Sequence, residues 1–97
     1  MIRYFELNNE GIAAGTEFVR KYLGRKGVRE KEQAKAVLTA EESLADLAAH
    51  SSGQGKMSVY VRSFPGTPTA VFSARGPEYE FKAKQDDELT ANWDEQP

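Results

Sequence analysis

The chain has 97 residues, of which 39% are hydrophobic and 29% are charged, and it contains no cysteine. This length fits a single domain with a thin, two-layer core. The lack of cysteine excludes a disulfide framework and thiolate chemistry, and it suits a reducing, cytoplasmic setting. The first residues do not form a signal peptide, and no stretch approaches the roughly 18 apolar residues that a membrane span requires.

The net charge of −2 is unevenly distributed along the chain. Residues 78–97 contain seven acids and two lysines, which gives −5, whereas residues 1–77 contain eleven bases and eight acids, which gives +3. The acidic end either folds over a basic surface or is solvated, and charge-rich termini favour the second interpretation. We therefore predict a domain over residues 1–82 and an acidic tail over residues 83–97.

The first third of the chain predicts a strand followed by a helix. Ile2–Leu7 alternates apolar and polar residues, as a half-buried strand does. The pair Asn8-Asn9 offers side chains that cap a helix, and apolar residues from Gly11 to about Leu23 recur with helical spacing. We expect Gly24 and Gly27 to end or loosen this helix.

The strongest helical pattern in the sequence extends from Arg29 to His50. This segment is rich in Ala, Leu, Glu, Lys and Gln and contains neither Gly nor Pro. A capping box that begins at Thr39 leaves open a break at that position. Because the apolar stripe of Val37, Leu44 and Leu47 keeps its phase across Thr39, we predict one continuous helix.

The second half of the chain predicts strands. Lys56–Phe64 alternates in polarity, and Thr69–Ala74 follows after a turn, so the two should pair as a hairpin. Glu78–Phe81 fits a short edge strand that is guarded by alternating acids. The predicted fold is an α+β, two-layer α/β sandwich with two helices on one face of a small, mainly antiparallel sheet, in the order β-α-α-β-β before that edge strand.

Three ionisable residues, Glu42, Asp46 and His50, follow one another at four-residue intervals and so share one side of the second helix. Their simplest interpretation is a solvated helix face with a weak Asp46–His50 surface pair. They also form a possible set of metal ligands, although no second histidine exists to complete it.

The run Ala40–Ser51 resembles the N-box helix of the GHKL (Bergerat-type) ATPases. It is most similar to the form in serine-kinase anti-sigma factors and histidine-kinase-like domains, whose pattern is Glu-x-x-x-Asn-x-x-x-His. The order of elements around it is also similar. The resemblance implies ATP and Mg²⁺ as cofactors, with Glu42 as general base, Asp46 as the Mg²⁺ ligand, and Asp46, His50 and Gly76 around the nucleotide.

This sequence departs from the family pattern at three positions. Asp46 stands in the place of the Asn, and a carboxylate there adds negative charge near phosphates. Ala74 replaces the Asp that binds adenine, and Glu78 replaces the second glycine of that turn. The resemblance therefore implies a degenerate or truncated regulatory domain with at most weak nucleotide or Mg²⁺ binding.

A second hypothesis comes from a different functional class. A small sheet leaves an unpaired edge, so the chain would be a non-catalytic interaction module that self-associates or adds a partner strand. Residues 20–35 are basic, but Glu30 and Glu32 interrupt the bases and no aromatic platform accompanies them, which disfavours nucleic acid as the partner.

Overall fold

A computed structural model describes residues 1–51, 55–63, 66–75 and 77–84 of this chain. It has four strands and two helices in the order β-α-α-β-β-β. The elements are β1 (Ile2–Glu6), α1 (Asn9–Arg25), α2 (Glu30–His50), β2 (Lys56–Arg62), β3 (Thr69–Ser73) and β4 (Glu78–Lys82).

The four strands form one open antiparallel sheet in the order β1-β2-β3-β4. Both helices pack on the same face of this sheet and against each other. The predicted α+β two-layer sandwich is confirmed. The predicted edge strand is also confirmed, since β4 pairs along its whole length with β3 and is the last strand of the sheet among the described residues.

The ends of α1 follow from side-chain and glycine chemistry. Asn8 precedes the helix in an extended conformation, and its side-chain oxygen accepts a hydrogen bond from the Gly11 N–H at 2.8 Å. At the other end Gly27 adopts a left-handed φ of 77°, and the Val28 N–H donates to the carbonyl of Leu23 at 3.0 Å. This is a Schellman ending, which glycine favours. The helix is longer than predicted because it continues past Gly24.

Helix α2 is continuous through Thr39, as the unbroken apolar stripe predicted. Its buried residues extend the stripe toward the N-terminal end and include smaller residues: Glu32, Ala36, Ala40, Ser43, Leu44 and Leu47. Val37 is only half-buried, so the stripe lies one position away from the predicted one at that end.

The core lies between the helix layer and the inner face of the sheet. Its largest fully buried side chains are Phe72, Leu23, Leu44, Leu47, Met57, Val19, Val59 and Val61. The alternation in β2 is clear, because Met57, Val59 and Val61 are buried while Tyr60 is exposed. Within the described part of the chain, neither helix is both long and apolar enough to cross a bilayer.

The packed chain extends two residues beyond β4. The Ala83 N–H donates to the Pro68 carbonyl at 2.9 Å, and the Lys84 N–H donates to the carboxylate of Glu32 at 3.0 Å. Structural contacts therefore reach Lys84, two residues past the predicted domain boundary at 82. The rest of the predicted tail, residues 85–97, lies outside the described residues.

Candidate functional site

The three candidate residues of α2 lie in different environments. Glu42 and His50 are exposed, whereas Asp46 is half-buried and faces strand β4. The Nδ1 atom of His50 lies 2.8 Å from the backbone carbonyl oxygen of Asp46 and 3.2 Å from its carboxylate. The predicted Asp46–His50 surface pair is therefore present.

Asp46 has a second partner that the sequence did not predict. The hydroxyl of Tyr79 on β4 donates a hydrogen bond to the other carboxylate oxygen of Asp46. This hydrogen bond, together with desolvation and the charge of the carboxylate, raises the pKa of Tyr79 above its usual value. Asp46 consequently joins α2 to the edge of the sheet instead of lying on a fully solvated helix face.

These contacts restrict what Asp46 can do for a metal ion or nucleotide. Mg²⁺ takes near-octahedral oxygen ligands, and the described residues contain no group of three or more acids and histidines placed to hold a metal ion. Glu42 and Asp46 offer two carboxylates one helical turn apart, and one of them is already bonded to Tyr79 and His50. Gly76, the fourth candidate, lies outside the described residues.

Glu32 is a buried carboxylate that the sequence analysis treated as one of the interleaved acids in a basic segment. Only 4% of it is exposed. Its carboxylate accepts a hydrogen bond from the Lys84 N–H and forms a 3.1 Å ion pair with Lys35. The Lys84 hydrogen bond is the main cause that lowers the pKa of Glu32. Its spacing of four and eight residues from Ala36 and Ala40 is the signal that could have identified it as part of the buried face.

The outer edge of β1 presents backbone groups that no other described strand pairs with. Met1 and Val61 exchange backbone hydrogen bonds of 2.8 and 3.0 Å, and the antiparallel register continues with Arg3 opposite Val59. Since hydrogen-bonded and non-hydrogen-bonded pairs alternate in an antiparallel ladder, the N–H and C=O groups of Ile2 and Tyr4 point away from β2. No strand among the described residues pairs with them.

The outer edge of β4 is arranged in the same way but carries more charge. The Ala83–Pro68 and Ala74–Pro77 hydrogen bonds show which residues of β4 form the hydrogen-bonded pairs with β3. The backbone groups of Glu78, Glu80 and Lys82 therefore point outward, and their side chains are all exposed. Charged side chains at an edge, and lysine above all, oppose the addition of another strand.

A cleft lies beside β1, between that strand and α1. Its volume is about 500 Å³, which lies within the range of ligand-binding sites. Its lining combines aromatic and basic side chains: Met1, Arg3, Phe5, Ala14, Glu17, Phe18, Lys21 and Arg25. The Arg3 guanidinium lies 5.2 Å from the centroid of the Phe18 ring, and the rings of Phe5 and Phe18 are 5.9 Å apart.

The charge of this cleft is positive. Its one acid, Glu17, makes a two-pronged ion pair with Arg20, and that pair lowers the pKa of Glu17. Arg3 and Arg25 form no ion pair with a carboxylate of the described residues. In the sequence, Arg25 belongs to the basic segment 20–35, and no local pattern associates it with β1.

The sheet face opposite the helices exposes apolar side chains. Ile2, Tyr60 and Val71 are cross-strand neighbours there, and Tyr4 lies beside them. Ile2, Tyr4 and Tyr60 are 49%, 62% and 40% exposed, respectively. This apolar row ends at the free edge of β1.

No protein-family model, curated protein or solved structure matches this chain. The resemblance to the GHKL ATPases therefore stays a prediction from the N-box-like run.

Proposed function

We propose that this chain is a non-catalytic interaction module that binds another protein chain, or a second copy of itself, through an open edge of its sheet. The observation that carries this proposal is the row of outward backbone groups at Ile2 and Tyr4 on β1, which no strand among the described residues pairs with. An exposed edge is a template for strand addition, because main-chain hydrogen bonds supply affinity and flanking side chains supply specificity. We place the module in the cytoplasm, in keeping with its lack of cysteine.

Proline substitutions at outward-facing positions test this proposal. Tyr4→Pro on β1 and Glu80→Pro on β4 each remove an outward N–H while leaving the ladder to the neighbouring strand intact. We expect sedimentation velocity to show reversible self-association at high concentration, or binding to a partner, that one of the two variants loses. A chain that stays monomeric while its outward edge amides are protected from hydrogen exchange would have covered edges, and the proposal would fail.

A second candidate function is weak binding of Mg²⁺ and nucleotide at the Glu42–Asp46 end of α2, as in a degenerate GHKL-type regulatory domain. The observation that favours it is the continuity of α2 through the N-box-like run, with Asp46 held at the flank of β4. In this interpretation the Glu42 carboxylate contacts hydrated Mg²⁺ or water, and Asp46 occupies the position that is Asn in the family.

Thermal shift with ATP and Mg²⁺ tests the second candidate. A ligand that binds only the folded chain raises its stability in proportion to the logarithm of ligand concentration over Kd. We expect a small shift at millimolar ATP·Mg²⁺ and a larger one in Asp46→Asn, because the substitution removes a negative charge near the phosphates. Equal melting temperatures with and without ligand in both proteins would exclude nucleotide binding.

A further inference from the structure

We propose that the β1 edge and the adjacent cleft form a binding site for an extended, acidic segment of a different protein, which joins the sheet as a fifth strand beside β1. The inference rests on the proposed function and deepens it by naming the edge and the chemistry of the partner.

The backbone of β1 defines the shape of the occupant. Ile2 and Tyr4 offer both N–H donors and C=O acceptors along the free edge, and a strand placed about 4.8 Å away satisfies both kinds. A phosphate backbone has acceptors only, so the carbonyls of this edge would repel it. An extended peptide is therefore the occupant that this edge fits, in preference to a nucleic acid.

The two faces of the sheet define the side chains of the added strand, which alternate between them. On the helix side they enter the cleft beside Arg3, Lys21 and Arg25, where acids are favoured. On the opposite side they extend the apolar row of Ile2 and Tyr60, where apolar residues are favoured. The partner segment thus alternates acidic and apolar residues.

The charge distribution also favours an acidic segment at β1 over two other arrangements, a second copy of β1 at this edge and an acidic segment at the β4 edge. A second copy that added its own β1 would bring its Arg3, Lys21 and Arg25 close to the same three bases, which is repulsive. The β4 edge exposes Glu78 and Glu80, so an acidic segment is repelled there. Among the described residues, the β1 edge combines outward backbone groups that no strand pairs with and a basic cleft beside them.

The test is an NMR titration of the full-length chain with an eight-residue peptide that alternates Glu and Val, capped at both ends. A matched peptide with Lys in place of Glu is the control. We expect the Glu peptide to shift the amide signals of Ile2 and Tyr4 and to protect them from hydrogen exchange. The Lys peptide should not bind.

Two variants separate the contributions of backbone and charge. Tyr4→Pro should abolish binding, and the double variant Lys21→Gln/Arg25→Gln, which alters only exposed side chains, should weaken it by about tenfold and reduce its salt dependence. Lys31→Gln, a matched loss of charge on the exposed part of α2, should leave affinity unchanged.

Several outcomes would overturn the inference. Shifts confined to Glu78, Glu80 and Lys82 would move the site to β4 and leave the proposed function intact, whereas binding that protects neither edge would contradict both. An acidic partner segment at β1 would be excluded if the folded chain failed to bind the Glu peptide or bound the Lys peptide equally well. It would also be excluded if a single-stranded oligouridylate bound more tightly in the cleft, or if the chain dimerised with concentration in a way that protects Ile2 and Tyr4.

Discussion

The Tyr79 hydroxyl on β4 donates a hydrogen bond to the Asp46 carboxylate on α2, which joins the edge strand to the helix that carries the N-box-like run. The pKa of Tyr79 is raised mainly by this hydrogen bond. Any stability that the bond contributes is present below the unfolded tyrosine pKa of about 10 and is lost as pH rises through the higher folded value. We predict that Asp46→Asn lowers the pKa of Tyr79, as followed by NMR of the ring carbons. An unchanged Tyr79 pKa in that variant would show that the bond does not form in solution.

We predict that the contribution of Glu32 to the free energy of unfolding is lost at acid pH. The pKa of Glu32 is lowered below its usual value by the Lys84 backbone hydrogen bond and by Lys35, so its contribution is complete above the pKa of the unfolded chain and is lost as pH falls through the lower folded pKa. Glu32→Gln should cost about 1–2 kcal/mol of unfolding free energy at neutral pH, and the difference from the wild type should shrink on acidification. Urea denaturation at neutral and acid pH measures this, with the exposed Glu30→Gln as the control. A pH-independent difference would contradict the assignment.

We predict that replacing glycine by alanine has opposite effects on stability at two positions of α1. A Cβ at Gly11 would lie 1.8 Å from the carbonyl oxygen of Glu6, so Gly11→Ala must displace the junction between β1 and α1. We expect a loss of about 3 kcal/mol or more. A Cβ at Gly24 would lie at an ordinary 3.6 Å from Gln33, and Gly24→Ala should stabilise the helix by about 0.5–1 kcal/mol. Thermal denaturation of the two variants compares them directly, and equal effects would be inconsistent with this packing.

Two leucines of α2 test its orientation. Leu44 is fully buried, whereas Leu38 is 57% exposed. Leu44→Ala should cost roughly 2–5 kcal/mol because it removes core contacts and leaves a cavity. Leu38→Ala changes an exposed helical position and should have an effect within about 0.5 kcal/mol. Chemical denaturation gives both values, and a larger cost at position 38 would mean that α2 packs through a different face.

Local patterns predicted most of the fold. Alternation in Lys56–Arg62, the capping side chain of Asn8 and the unbroken stripe of α2 each reflect short-range geometry that a sequence carries directly. The edge strand predicted over Glu78–Phe81, on the basis of its alternating acids, is observed over Glu78–Lys82.

The candidate site depended on contacts between distant segments, and these were not predicted. Asp46 and Tyr79 are 33 positions apart, and Lys84 reaches Glu32 across 52 positions. Arg3 of β1 and Arg25 at the end of α1 line the same cleft, because the chain reverses direction at Asn8. Periodicity identifies the buried face of each element but not which elements will pack together. The sequence therefore showed a basic segment at residues 20–35 but not the cleft that its side chains form with β1.

The central claim is that the outer edge of β1 is open, and amide hydrogen exchange in a dilute solution of the full chain tests it most directly. The account predicts that the amides of Ile2 and Tyr4 exchange rapidly, whereas those of Arg3 and Phe5, which bond to β2, are protected. Equal protection of all four amides in the monomeric chain would mean that this edge is already paired, and that result would contradict the account.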